Sequence, residues 1–555
     1  MLQPNTASKE NKWLLFLIGL AVMVNFSGIL IPLMDPDAGV YASLSKNMVL
    51  RNNYLDLIFQ GHDWLDKPHF PFWITALFFK VFGIHTWSYK LPGILFVMMG
   101  AGYTYLFTKK YYNTRIALWS VLILLTAEHI IISNNDVRAE PFLTGLIIAA
   151  VYHFSVNLSQ KVGKHLLLAS FFAACAVMTK GVFTLIPIGG AVAGQLVITR
   201  NWKQLFHWKW LLVALLLTIF ITPELYSLWY QFDQHPDKTM FGHQNVSGIK
   251  FFLWDSQFGR FMNTGPIKGK GDPTFFWHTL LWAFLPWSLL MYTGLFNKVK
   301  EGIRRSSLTS AEWFTVCGSL LTLIVFSFSK FQLPYYTNIV FPFLAVITAQ
   351  YIGKIEQRSR PFTIIQNVLT GILVLAGLFL QYLFAPVIPS PILVVVIVII
   401  LIIMLLFPNW MKLSNTQIAL YHAALAALAL NFYLNTIFYS NLLKYQSSDQ
   451  AAFYINQHYP NTPGVVFNMY APSFEFYLRD GLLKADSSAV LGHTALPNGI
   501  WYVTQDELSF IQKSGRTVEI LSELQEYHVT MLTLKFVNHK TRSSQLKQYF
   551  LIRVK

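Results

Sequence analysis

The sequence predicts an all-α polytopic membrane protein that ends in a small α/β domain. Three observations lead there. The 555 residues are 54% hydrophobic and only 12% charged, about half the charge of an ordinary soluble chain. Apolar runs close to the roughly 20 residues that cross a bilayer recur between residues 13 and 440. Only the tail from 444 to 555 reads as soluble. Mean hydropathy of +0.44 fits neither a disordered chain nor an ordinary cytosolic enzyme. The net charge of +16 invites a nucleic-acid reading. In a chain this apolar, however, Lys and Arg first mark the cytoplasmic side of the spans. Cys175 and Cys317 sit in apolar runs, so no disulfide framework is expected.

Taken in order, spans are expected at 13–34, 90–107, 116–133, 139–157, 165–179, 181–199, 210–228, 275–296, 311–328, 334–352, 363–384, 389–407 and 416–440. That is about thirteen, which puts the two termini on opposite sides. The first run is read as a retained span, because no cleavage-site pattern follows it. With the amino terminus inside, the short inner loops collect most of the basic excess, for example Lys109, Lys110, Arg115, Lys203, Lys209, Arg304 and Arg305. The expected organisation is a membrane domain over 1–443, with long outer loops at 35–89 and 229–274, and an outer α/β domain over 444–555. The latter has strand-like runs at 464–467 and 501–503 and a helix-like stretch at 505–513. The stretch 40–51 has helical spacing of Tyr41, Leu44 and Met48, which predicts an amphipathic helix on the outer surface. Inner loops leave no room for a nucleotide-binding domain and hold no Gly-rich phosphate loop. Chemistry is therefore expected outside, without cytosolic ATP or a nucleotide sugar.

Charged groups gather at the outer ends of spans, where desolvation is costly without a use or a partner. Asp35 and Asp37 close the first span. The turn Asp66-Lys67-Pro68 delivers an acid and a base to one place, and lysine suits phosphate as a point charge. Asp136, Arg138 and Glu140 stand at the mouth of two spans. The second long loop ends on Arg260-Phe261 and a Gly/Lys segment, 265–271, readable as a lid or a solvated loop. Lys330, alone at an outer edge before Tyr335-Tyr336, breaks the positive-inside trend and suggests a lipid phosphate, with snorkelling as the alternative. The competing explanations are a hydrated interfacial helix stop for Asp35 and Asp37, and ordinary ion pairing for Asp66-Lys67 and for Asp136, Arg138 and Glu140. Asp35-x-Asp37 has the spacing of paired oxygen ligands for a divalent cation. His62, His69, His235 and His243 make no tight pattern with it, so no metal or other cofactor is assigned.

Together these pieces resemble the membrane glycosyltransferases with a GT-C fold. The similarity is to the bacterial branch holding the lipid A aminoarabinose transferase and protein O-mannosyltransferase-like enzymes. The matching motifs are Pro36-Asp37 with Tyr41-Ala42, Asp66-Lys67-Pro68, Thr179-Lys180-Gly181, Arg260-Phe261, Phe284-Leu285-Pro286-Trp287-Ser288, and Ser327 through Lys330 to Leu333-Pro334-Tyr335-Tyr336. They fall in family order over residues 13–350. Departures occur at Ala38, where the family often has Glu, at Asp66, where it usually has Glu, and at Ser256-Gln257, where a His often stands.

The resemblance implies transfer of a sugar from a polyprenyl-phosphate donor of the undecaprenyl type to a lipid A, other glycolipid or protein acceptor. The reaction would take place on the outer face of a bacterial inner membrane. It implies Asp37 as catalytic carboxylate, with Asp66 and Glu140 beside it, and Lys67, Arg138, Arg260 and Lys330 for the donor phosphate. Asp35, Tyr41, Asp136 and Tyr335 would position groups or meet the acceptor. Membrane lipids are expected partners and nucleic acid is not. Two other classes remain open at this point. A transporter or flippase would place charges mid-span and show repeated halves with broken helices. A scaffold or receptor would work through the 444–555 tail.

Overall fold

The structure, a computed structural model, describes residues 4–303, 312–355, 360–411 and 413–555. Arg304 and Arg305, expected on the inner side, lie outside the described residues. Six described helices are long and apolar enough to cross a membrane: Thr86–Tyr111, Ala139–Asn157, Trp202–Asp233, Pro334–Ile355, Arg360–Phe384 and Asn415–Tyr445. Thr114–Thr126 and Glu128–Asn135, bent by 51°, would make a seventh. Several of the other runs expected to span coincide with shorter or broken helices. Lys164–Lys180 and Leu185–Ile198 meet around Gly181, and Phe275–Ala283 is separated from Ser288–Ile303.

Two devices hold the helices together where lipid offers no hydrophobic drive between them. The first is close backbone approach. A Cβ at Gly145 would lie 2.2 Å from the Phe96 carbonyl, so Ala139–Asn157 packs tightly on Thr86–Tyr111. The second is a seam of buried amides. Asn134 Nδ2 donates to Asn25 Oδ1 at 2.7 Å, and Asn135 Nδ2 to Asn435 Oδ1 at 2.7 Å. Asn431 Nδ2 donates to Glu128 Oε2 at 2.8 Å. These bonds tie the first helix and Asn415–Tyr433 to the bent pair, and so fix the turn at 136–138 that follows it.

Short hairpins decorate the two long loops: β1 (Ile58–Phe59) with β2 (His62–Asp63), and β3 (Thr239–Met240) with β4 (His243–Gln244). The tail forms a five-stranded sheet from β5 (Gly464–Phe467), β6 (Leu482–Ala485), β7 (Ile500–Thr504), β8 (Val518–Glu526) and β9 (Lys547–Val554), in the order β6-β5-β7-β9-β8. β5 is parallel to β6 and β7, while β9 runs antiparallel to β7 and β8. All four residues of β5 are buried, as expected for a parallel strand covered on both faces. Val466 and Tyr502 face Ile455 and Phe474, whereas Val465 and Trp501 face Leu508 and Ile511. Thr504 and Glu507 cap Gln505–Lys513 reciprocally.

The helix Asp37–Arg51 forms over the stretch read as amphipathic, but it is enclosed rather than laid on a membrane surface. Ten of its fifteen residues are buried. The cover is the helix Pro472–Tyr477 of the C-terminal domain. Lys46 Nζ donates to the carbonyls of Glu475, Phe476 and Leu478 at 2.8, 3.0 and 2.6 Å, a cation satisfying a helix carboxyl end. Ser43 Oγ donates to the Pro472 carbonyl at 3.0 Å. Asp35 accepts from Ser448 Oγ at 2.8 Å and from Ser473 Oγ at 2.6 Å.

This junction carries a pH dependence. Burial pushes the Asp35 carboxyl up to about 6 and that of Glu526 up to about 7. Burial also drives Asp449 upward, with Asp35 adjoining it. Carboxyls raised by folding make the native state bind more protons than the unfolded chain between about pH 4 and 7, so stability falls as pH rises through that window. The melting temperature of the purified protein should drop by about 2–5 °C between pH 5 and 8. Asp449→Asn should flatten that slope in a thermal scan, and a pH-independent wild type would refute the assignment.

Candidate active site

The candidate site is built where five chain segments meet, around residues 37–67, 136–140, 180, 257–260 and 335–336. The bent helix pair ends at Asn135 and the next helix begins at Ala139, leaving Asp136, Val137 and Arg138 as a non-helical turn. Pro141 in the first turn of Ala139–Asn157 costs no helix hydrogen bond, and Glu140 beside it suits the positive end of the helix dipole. Arg138 holds two acids at once. Its Nε and Nη2 donate to Asp136 Oδ2 at 2.9 and 2.7 Å, and its Nη1 pairs with Asp37 Oδ2. The guanidinium lies 4.0 Å above the Tyr335 ring. Asp136 is almost wholly buried, while the Asp37 side chain remains 44% exposed.

The second half of the site comes from the segments around residues 66 and 260. Lys67 Nζ donates to Asp66 Oδ2 at 2.6 Å, and Arg260 Nη2 pairs with Asp66 Oδ1. Burial pushes the Asp66 carboxyl up, but Lys67 and Arg260 outweigh it and hold the group below the usual carboxylate range. Burial lowers Lys67, against the pull of Asp66. Arg260 Nε is buried and has no partner among the described residues. The cleft these groups line encloses about 70 Å³ and also takes in Lys180, Gln257, Phe326 and Tyr336.

Lys180 is the residue that the sequence reading left out of the site. It pairs with Glu140 Oε1 and stands 3.6 Å above the Tyr336 ring. Its signal in the sequence is the Thr179-Lys180-Gly181 motif, a lysine between two apolar runs. Gly181 makes the joint possible. Its φ of +100° lies in the region glycine favours, and a Cβ there would sit 2.2 Å from Gln257 Nε2. Gln257 in turn donates to the Lys180 carbonyl at 3.0 Å. Gly181→Val should therefore cost about 1–3 kcal/mol of stability, read as a shifted denaturation midpoint. It should also displace Lys180 from Glu140; an unchanged midpoint would show that the turn relaxes freely.

Asp37, Asp66, Lys67, Asp136, Arg138, Glu140, Arg260 and Tyr335 are thus brought to one mouth. Lys67 and Glu140 both lie within electrostatic reach of Asp37. Burial raises the Asp37 carboxyl despite the opposing Arg138 charge. Tyr41 is buried beneath, its ring edge-on to Phe72 at 5.1 Å and to Trp64 at 6.4 Å. Asp35 and Asp37 turn apart, the former to Ser448 and Ser473 of the C-terminal domain and the latter to Arg138, so they do not converge as a ligand pair. Among the described residues, no three His, Cys, Asp or Glu side chains gather to hold a metal. Lys330 is exposed; its backbone N–H donates to the Phe261 carbonyl at 3.1 Å, and its side chain has no ion pair among the described residues. The segment 265–271 lies against the same turn, with Gly269 and Gly271 close to the Lys330 and Ser329 carbonyls.

The chain has the fold of the GT-C membrane glycosyltransferases. Over 98% of both chains it superimposes on ArnT from Cupriavidus metallidurans, with a TM-score of 0.74 for the structure bound to undecaprenyl phosphate and 0.70 for the apo state, each at 16% identity. Within that class, residues 66–226 match the dolichyl-phosphate-mannose-protein mannosyltransferase family model. The chain is 27% identical over 398 residues to undecaprenyl phosphate-alpha-4-amino-4-deoxy-L-arabinose arabinosyl transferase 1 of Pseudomonas fluorescens (strain Pf0-1), covering 68% of this chain and 65% of that one. It is 26% identical over 382 residues to an uncharacterized protein of Aquifex aeolicus (strain VF5), covering 67% and 70% respectively. The resemblance carried by the six motifs therefore holds, and the chain matches somewhat less than two thirds of the length of the P. fluorescens transferase.

Proposed function

We propose that this protein is a polyprenyl-phosphate-dependent glycosyltransferase. It moves a sugar from an undecaprenyl-phosphate type donor to a glycolipid or protein acceptor on the outer face of a bacterial inner membrane. The observation that carries this reading is a cleft lined by phosphate-type cations with a partly exposed carboxylate within electrostatic reach of it. Lys67 and Arg260 line the cleft, Arg260 with a spare buried N–H, and Asp37, paired with Arg138, lies within electrostatic reach of Lys67. The relatives' printed activities point the same way. In this reading the bond from the anomeric carbon to the phosphate oxygen breaks as the acceptor oxygen attacks from the opposite face, so configuration inverts. Lys67 and Arg260 neutralise the charge growing on the departing phosphate, and Asp66 holds both cations in place. Asp37 takes the proton from a hydroxyl acceptor, as a general base does. The amino terminus stands on the cytoplasmic side and residues 444–555 on the outer side. Mass spectrometry of envelope lipids and proteins from cells with and without the protein tests this. A species one sugar residue heavier should be present only with it, and identical profiles, together with no transfer from purified donor, would overturn the proposal.

A further inference from the structure

The helix Arg360–Phe384 is long and apolar enough to cross a membrane. Its 25 residues rise about 37 Å, against a hydrocarbon core of roughly 30 Å, so its end at Phe384 falls at a membrane–water interface. The C-terminal domain is seated on that end. The His539 backbone N–H donates to the Leu383 carbonyl at 2.8 Å and Arg542 Nη2 to the Phe384 carbonyl at 2.7 Å, closing carbonyls that a helix end leaves open. Val529, Phe536 and Val537 are buried in one cluster with Phe384 and Phe438. From this seat the turn at 530–534 stands out. Met531 is 70% and Leu534 74% exposed, with Leu532 exposed beside them. The turn is not loose: the Tyr527 hydroxyl donates to the Met531 carbonyl at 2.9 Å and accepts the Thr533 N–H at 3.2 Å. The Tyr527 ring is stacked on Phe536. Lys535 and Lys540 follow the apolar tip, both exposed and without an ion pair among the described residues. No Asp or Glu occurs between residues 527 and 555.

We propose that residues 531–540 are a membrane-docking surface of the C-terminal domain. Met531, Leu532 and Leu534 enter the boundary between head groups and acyl chains, and Lys535 and Lys540 bind the phosphates of anionic phospholipid. Large apolar side chains held outward beside acid-free basic sequence match a surface that is apolar within and anionic at its rim. The bilayer around the end of Arg360–Phe384 is such a surface, and the seat at Leu383 and Phe384 already brings the domain to it. The docking surface belongs to this chain whatever sugar or acceptor it uses.

The test uses the full chain in nanodiscs of phosphatidylcholine mixed with phosphatidylglycerol. A nitroxide is attached at Leu534→Cys or, as control, at Gln512→Cys, in a chain carrying Cys175→Ala and Cys317→Ala. Gln512 is exposed on the helix Gln505–Lys513, which packs on the opposite face of the sheet from the helix Pro472–Tyr477 that meets Asp37–Arg51. Oxygen, which concentrates in lipid, should relax the label at 534 more than a water-soluble nickel chelate does, and the order should reverse at 512. Phosphatidylglycerol titrated onto the chain in micelles, read by native mass spectrometry, should bind roughly tenfold more weakly when Lys535→Gln and Lys540→Gln are combined. Lys513→Gln, a matched exposed lysine on the far face, should bind it as the wild type does. Equal access of the nickel chelate to 534 and 512 would overturn the proposal, as would unchanged phosphatidylglycerol affinity in the double variant. Dipolar broadening between labels at 534 would place a second copy on the turn and overturn it too.

Discussion

Asp37→Asn is expected to fold and insert normally but to lose about 10²–10⁴-fold in kcat, the usual share of a positioned general base. Folding should survive because Arg138 keeps its two hydrogen bonds to Asp136 and stays compensated. Donor binding should survive because Lys67 and Arg260 pair with Asp66 and not with Asp37. The pH profile gives a second readout. A general base works deprotonated, and burial raises the Asp37 carboxyl above the ordinary carboxylate value. The acid limb of kcat/KM should therefore lie higher than a solvated aspartate would put it, with activity lost as pH falls through it. The residual rate of Asp37→Asn should lack that limb. Full activity with an unshifted profile would take Asp37 out of the mechanism.

Arg260→Ala is the second large effect. Loss of a charge-assisted contact to a phosphate in a buried cleft is worth about 1.5–3 kcal/mol, so undecaprenyl phosphate should bind roughly ten- to a hundredfold more weakly. Lys330→Ala is the matched control. Its side chain is exposed and without an ion pair among the described residues, so affinity should change by less than about threefold. Equal losses in the two variants would show that the phosphate sits nearer the 327–333 turn than the Asp66 cluster.

What could be read from the sequence was whatever depends on neighbours along the chain. The strand-like runs at 464–467 and 501–503 and the helix-like stretch at 505–513 follow from local periodicity, and the structure forms strands at 464–467 and 500–504 and a helix at 505–513 there. The acidic ends at Asp37, Asp66 and Asp136 stood out because each interrupts or closes an apolar stretch. What could not be read was who meets whom. Arg138 reaches Asp37 across 101 positions, and Arg260 reaches Asp66 across 194. The stripe on 40–51 announced that something apolar would cover it, but lipid and protein look alike to a hydrophobic stripe. Its cover lies more than 400 residues further on, at 472–478. Lys180 was hidden for a different reason. The helix before it and the helical stretch after it are each short for a span, and a joint between two short spans conceals a functional lysine as easily as a linker does.

The turn at Asp35–Asp37 has a consequence for engineering. Asp35 is bonded to Ser448 and Ser473 of the C-terminal domain, while Asp37, two residues on, is held by Arg138 in the membrane domain. Lys46 then clasps the end of the helix at 472–477. The C-terminal domain is therefore not an interchangeable module. A chimera that grafts residues 444–555 from a relative onto this membrane domain should fail at the seam unless residues 33–60 travel with it, because the two pieces share one fastening.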